Sequence, residues 1–183
     1  MAGQLKPDFP DAAGPLCQQR PVRVQVYPHS HAGYFIFGIV TMTLHYPQQM
    51  DKNVARAARR ILVIDDDCAV TELLSVLLFA HGYFVLTSSG GLDGLNLARC
   101  YTPDLVILDL LMPGMDGWAV CAAIREFSSM PIIVLSAINE PSMVASVLDA
   151  GADHCLTKPV PSYILTAHIR RLLEKTQPQK NGR

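Results

Sequence analysis

The stretch Asp104-Leu-Val-Ile-Leu108 limits the possible folds more than any other part of the chain. Four large apolar residues in a row, two of them β-branched, leave no polar face for a strand to turn to water, so the run must be covered on both sides. Sheets covered on both sides are built from parallel strands joined by helical crossovers. Similar runs recur on either side of it. Ile61-Leu-Val-Ile64, Tyr83 to Thr87, Pro131-Ile-Ile-Val-Leu135 and His154 to Thr157 read as the other strands.

Helical spacing fills the intervals. Val70, Leu73, Leu74, Leu77 and Leu78 share one face of a helix that Gly82 stops, and Asp67 is well placed to cap its start. Leu92 to Cys100, Trp118 to Phe127, Ser142 to Ala150 and Pro161 to Lys175 are the other four helices, with Gly151 closing the fourth of the five. Gly90-Gly-Leu-Asp-Gly94 fits neither a dinucleotide nor a Walker phosphate loop and reads as a helix entry. Five strand-helix units predict an α/β fold, a doubly wound five-stranded parallel sheet, over residues 58–175.

Residues 1–57 carry scattered prolines, a strand-like run from Val22 to Tyr27 and an apolar run from Tyr34 to Leu44, without a repeating pattern. They are expected to form a poorly ordered extension, and residues 176–183 a polar tail. The Tyr34 to Leu44 run falls short of the ~20 residues that cross a bilayer, and nothing around it resembles a signal peptide. His29-Ser-His31 has no carboxylate or thiol near it and reads as a polar loop rather than a metal site. The five cysteines are scattered and lack a C-x-x-C pair, so they read as reduced thiols of a cytoplasmic protein. A formal net charge of −1 gives no bulk drive toward a polyanion, so no nucleic-acid partner is expected, and the shortness of the Tyr34 to Leu44 run leaves no membrane insertion expected.

In doubly wound sheets chemistry gathers beyond the carboxyl ends of the strands. Strand one runs into Asp65-Asp66-Asp67, strand three into Asp109, strand four into Ser136 and strand five into Lys158-Pro159. Each alone has an ordinary structural role as a cap, a turn residue or a surface charge. Together they form a cluster whose carboxylates, ~4 Å apart, repel by about 4 kcal/mol at an effective dielectric near 20 unless a cation intervenes. An all-oxygen set suits Mg²⁺, which leaves coordination positions open for phosphate oxygens. Lys158 supplies an ammonium and Ser136 a hydroxyl for a phosphoryl group, and Asp109 stands between them as the nucleophile.

These residues resemble the receiver domain of two-component response regulators, in its single-domain, chemotaxis-receiver-like form, over about Arg59 to Leu173. The resemblance rests on Ile61-Leu-Val-Ile-Asp-Asp-Asp67, Pro103-Asp-Leu-Val-Ile-Leu-Asp-Leu-Leu-Met-Pro-Gly-Met-Asp-Gly117, Pro131-Ile-Ile-Val-Leu-Ser-Ala137 and Gly151-Ala-Asp-His-Cys-Leu-Thr-Lys-Pro159. It implies a flavodoxin-like fold with strand order 2-1-3-4-5 and phosphorelay signalling. It further implies phosphotransfer to Asp109 from a sensor histidine kinase or a histidine phosphotransfer protein. By the same resemblance, Asp66, Asp109 and the backbone carbonyl of Leu111 hold Mg²⁺, with Asp65 acting through a metal-bound water. Lys158 pairs with the phosphoryl group, Ser136 reports the modified state, and the surface of the fourth helix, fifth strand and fifth helix delivers the output.

Two departures qualify the match. Cys155 stands where the family has an aromatic residue coupled to the hydroxyl switch, and reads as a small buried strand residue. Leu111 and Ile138 flank the expected path of a hydrolytic water and cannot orient one, which predicts slow loss of the phosphoryl group. No output domain follows the last helix, so the chain reads as a stand-alone regulator that acts by protein contact rather than as an enzyme. A phosphoaspartate hydrolase is disfavoured by Leu111, where that chemistry needs a second Asp, and a scaffold that is never phosphorylated is the remaining alternative. Met50 stands close before the first strand, which predicts that residues 1–49 are an extension that cells do not make. Recovery of a peptide containing Gln4 or Phe9 from native protein by mass spectrometry would refute this.

Overall fold

A computed structural model describes residues 59–175. The expected disorder of residues 1–57, the 176–183 tail, His29, His31, Cys17 and the Tyr34 to Leu44 run lie outside the described residues. Ten elements alternate: β1 (Arg60–Ile64), α1 (Cys68–Ala80), β2 (Phe84–Ser88), α2 (Gly91–Tyr101), β3 (Leu105–Asp109), α3 (Gly117–Arg125), β4 (Ile132–Ser136), α4 (Pro141–Asp149), β5 (His154–Thr157) and α5 (Ser162–Lys175). The strands form one parallel sheet in the order β2-β1-β3-β4-β5. The α/β, doubly wound, flavodoxin-like fold read from the sequence is the fold observed.

Strand period two divides the core into two layers. Leu62, Ile64, Leu86, Val106, Leu108, Ile132 and Val134 face α2, α3 and α4, where Leu95, Ala98, Val120, Cys121, Ile124 and Val147 meet them. Ile61, Val63, Val85, Leu105, Ile107, Ile133 and Leu135 face α1 and α5 and pack on Leu74, Leu78, Leu165, Ile169, Leu172 and Leu173. β3 and β4 are buried at every residue. Burying one such aliphatic side chain contributes roughly 1.5–3 kcal/mol, so the two layers together hold the sheet between its helices.

The strand ends differ from the sequence reading in one way that matters. β2, β3 and β4 extend one residue further than their apolar runs, because each last residue still has a partner in the ladder: Ser88 against Ile64, Asp109 against Leu135 and Ser136 against Thr157. Asp109 and Ser136 are therefore sheet residues, held by the ladder rather than by a loop. Asp67 caps α1 as expected, its carboxylate accepting from the Ala69 N–H at 2.8 Å. Gly82 ends that helix with φ near +83°, a conformation costly for a residue bearing a Cβ.

At the other end of the sheet, Asp104 accepts from the Arg59 guanidinium (2.8 Å) and the Arg60 N–H (2.7 Å), fixing the entry to β1. Arg125 donates to the carbonyls of Gly151 (2.9 Å) and Met130 (2.7 Å) and to Asp153 (2.9 Å), while Asp153 also accepts from the Ile132 N–H. This one guanidinium ties α3 to the starts of β4 and β5. Cys68, Cys121 and Cys155 are free thiols. Burial pushes the Cys121 thiol up to about 12.

His154 on β5 and His168 on α5 meet edge to face with ring centroids 4.6 Å apart. Burial, followed by the charge of His168, lowers the His154 pKa below its ordinary 6.5; Arg171 and Lys175 add to this and Asp153 opposes it. A base whose folded pKa is lowered takes up more protons in the unfolded chain, so the stability it confers is present above about 6.5 and is lost as pH falls through the folded value. Urea unfolding is expected to shift to lower urea as pH falls below about 6.5, and His154→Gln to flatten that shift. Equal pH slopes for the variant and the wild type would exclude His154 as the cause.

Candidate phosphoryl-acceptor site

The carboxyl ends of β1, β3 and β5 bring three side chains into one hydrogen-bonded group. Lys158 follows β5 and donates from Nζ to Asp109 Oδ1 at 2.5 Å and to Asp65 Oδ2 at 2.8 Å. Asp65 is 2% exposed and Asp109 8%. The remaining carboxylate oxygens are also held: Asp65 Oδ1 accepts from the Asp67 N–H (3.0 Å) and Asp109 Oδ2 from the Leu111 N–H (3.0 Å). Both acids are thus fixed in rotation, with backbone donors supplied by the turns that follow their strands.

Asp66, exposed, completes the acidic group, and one oxygen from each of Asp65, Asp66 and Asp109 lies within 4.8 Å of the others. Three carboxylates against one ammonium leave two excess negative charges when all are ionised. Burial raises the Asp65 pKa above 3.8, although hydrogen bonds from Lys158 and from the Asp67 backbone pull the other way. Burial alone would lower the Lys158 pKa, but its hydrogen bonds to Asp109 and Asp65 and their charges outweigh it and hold the ammonium above 10.5. That pairing stabilises the fold below about 10.5 and is lost as pH rises through the folded value. An all-oxygen, electron-rich donor set with one exposed member fits a hard divalent cation such as Mg²⁺.

The other residues singled out from the sequence stand around this group in different ways. Ser136 is 1% exposed, and its Oγ accepts from the Ile138 N–H at 3.0 Å, so it bonds within its own turn rather than to Asp109. The Lys158 N–H donates to the Ser136 carbonyl at 2.7 Å, which joins the last residue of β4 to the chain that carries the lysine. The Lys158-Pro159 peptide is cis. Leu111, two residues after Asp109, is 52% exposed.

Sequence reasoning missed Gly117. A Cβ there would lie 2.7 Å from the Asp109 carbonyl oxygen and 2.8 Å from the Leu110 Cα, both backbone atoms, and the Gly117 N–H donates to the Leu110 carbonyl at 2.9 Å. The first residue of α3 therefore rests directly on the strand end that presents Asp109. Its signal in the sequence was a glycine just after Asp116, the residue that caps α3. Gly91 is close to α3 in the same manner, facing the Met115 carbonyl and Val120.

A doubly wound sheet with a buried acid-lysine group at its carboxyl edge defines an α/β regulator of the receiver type. The family model described as "Response regulator receiver domain" matches residues 61–170, and the chain belongs to that family, a component of two-component signalling. It is 42% identical over 115 residues to the transcriptional regulatory protein AfsQ1 of Streptomyces coelicolor, covering 63% of this chain and 51% of that one. It is 36% identical over 121 residues to the DNA-binding response regulator MtrA of Mycolicibacterium paratuberculosis, covering 66% and 54%. Among solved structures, Vibrio cholerae chemotaxis protein CheY4 superposes with a TM-score of 0.60 at 28% identity, covering 63% of this chain and 99% of that one.

The chain spans about half the length of the curated relatives it matches. Their names correct the expectation that nucleic acid plays no part, since AfsQ1 is named a transcriptional regulatory protein and MtrA a DNA-binding response regulator. The charge argument failed because the net charge of this chain says nothing of what the rest of such longer relatives binds. Among the described residues no helix is long and apolar enough to cross a membrane.

Gly117→Ala is expected to lower unfolding stability by about 1–3 kcal/mol, the usual penalty for overpacking against atoms that cannot give way. Urea denaturation checks it. A variant as stable as the wild type would show that the α3 start can move off the Asp109 strand at no cost.

Proposed function

We propose that Asp109 accepts a phosphoryl group from the phosphohistidine of a sensor histidine kinase or a histidine phosphotransfer protein. The observation that carries this reading is the ammonium of Lys158 bonded to both Asp109 and Asp65, with Asp66 close by, at the carboxyl edge of the sheet. A carboxylate oxygen of Asp109 forms a bond to phosphorus as the phosphorus-nitrogen bond of the donor breaks, and the imidazole keeps the electron pair. Lys158 neutralises phosphoryl charge, and the Ser136 hydroxyl turns from its own loop to donate to a phosphoryl oxygen.

Asp66, Asp109 and the Leu111 carbonyl are the residues proposed to hold Mg²⁺, with Asp65 bound through water. When present, the cation supplies neutralisation of the charge that the acids and the phosphoryl oxygens share. Leu111 and Ile138 offer no group to orient a hydrolytic water, so the acyl phosphate is long-lived. The same reading places the protein in the cytoplasm.

Output through protein contact across α4, β5 and α5 belongs to this proposal. A second reading, favoured by the names of the relatives, is that the receiver controls transcription through nucleic acid bound elsewhere in a longer protein.

Incubated with a small phosphodonor and Mg²⁺, the full chain should gain the mass of one phosphoryl group. Asp109→Asn should gain none, and chelation of the metal should abolish uptake by the wild type. No uptake by the wild type would favour a scaffold that is never phosphorylated. Loss of half the label within seconds, without a phosphatase, would refute the long-lived acyl phosphate.

A further inference from the structure

Cys155 lacks the ring that would link the acid site to the output surface, yet an aromatic side chain does join the two by another route. The chain's single tryptophan, Trp118, is the second residue of α3. Its indole Nε1–H donates to the Ser146 Oγ of α4 at 3.0 Å. The Ser146 hydroxyl gives its own proton to the Met143 carbonyl at 2.8 Å, so toward the indole it can only accept. Both partners of the bond have one assignment, and the pair is half-buried. Trp118, Met143 and Cys155 pack partly buried against the same core layer.

The near end of this link is rigid. Gly117, immediately before Trp118, has no room for a Cβ against the Asp109 carbonyl and bonds to the Leu110 carbonyl, while Asp116 caps α3 through the Ala119 N–H at 2.9 Å. A displacement of the strand end at Asp109 must therefore move the α3 start, and the indole with it. The far end lies in the middle of α4 (Pro141–Asp149), a helix with one fully buried residue, Val147. Few apolar contacts make such a helix the element that shifts at least cost.

We propose that Trp118 is a positioning residue that carries the state of Asp109 to α4 through its bond to Ser146, taking the part that an aromatic residue at position 155 would play. The inference rests on Asp109 being the residue that is phosphorylated. Modification of Asp109 displaces the end of β3 and the α3 start, the indole bond transmits this to Ser146, and α4 takes up a different packing. Position along a path is not evidence of coupling, so the link must be tested by the difference between the two states.

The test uses the full chain with and without a small phosphodonor and Mg²⁺. It follows phosphate uptake by intact mass, emission of the one tryptophan, and amide hydrogen exchange over residues 141–149. In the wild type, phosphorylation should shift the emission and change exchange in α4. Trp118→Phe, which keeps the ring but not the N–H, and Ser146→Ala should take up phosphate as the wild type does. Their α4 response should shrink about fivefold, the equilibrium equivalent of one neutral hydrogen bond. In Ser146→Ala the tryptophan emission should also cease to respond. A purely structural role would lower stability in both states and leave the difference between them unchanged. Full phosphate uptake with an undiminished α4 response in both variants overturns the relay alone; no uptake by the wild type overturns both the relay and the acceptor reading. If Trp118→Phe melts without cooperativity, Ser146→Ala decides.

Discussion

The ammonium of Lys158, shared between Asp65 and Asp109, is the interaction on which the rest of this structure turns. Two carboxylates this deeply buried repel each other and lose hydration, and a single cation bonded to both makes their proximity tolerable. For Lys158 to reach them, β5 must lie at one edge with β4 between it and β3, and β1 must sit against β3 on the other side. The strand order is thus a condition of the site's electrostatics. The compensation is incomplete: burial still raises the Asp65 pKa, and the excess negative charge is what makes the group receptive to a divalent cation.

Around that group the chain is organised so that its unmodified acids are held in one orientation. Asp109 is the last residue of a strand buried along its whole length, and its ladder partner Leu135 is itself buried. The turns after β1 and β3 each return a backbone N–H to the acid that precedes them, and Gly117 lets α3 come down onto the end of β3. The opposite edge of the sheet is closed by other means. Arg125, Asp153, Asp104 and Arg59 bond the strand starts to one another, while Lys158 pairs with the acids at the carboxyl edge.

Much of this was legible in the chain because its signals are local. Unbroken apolar runs can only be doubly covered strands, Asp67 stands where a helix cap is needed, and the polar residues that close the runs mark the chemical edge. The ends of β2, β3 and β4 were misread by one residue, since a polar side chain looks like a loop until its ladder partner in the next strand is known. Gly117, Arg125 and Trp118 carried no legible role. A glycine before a helix, an arginine at a helix end and a tryptophan on an amphipathic face are ordinary, and only their partners make them specific.

By itself, then, the sequence determined the element types, their order and the set of residues at the strand ends, because hydrophobic periodicity and turn chemistry act over a few residues. Tertiary structure alone decided which of those residues meet. Lys158 bonds to Asp65 across 93 positions of chain, Trp118 reaches Ser146 across 28, and the Ser136 hydroxyl bonds to Ile138 in its own turn instead of to Asp109. Contacts at such separations are set by the packing of whole layers and the register of neighbouring strands, which no local pattern encodes.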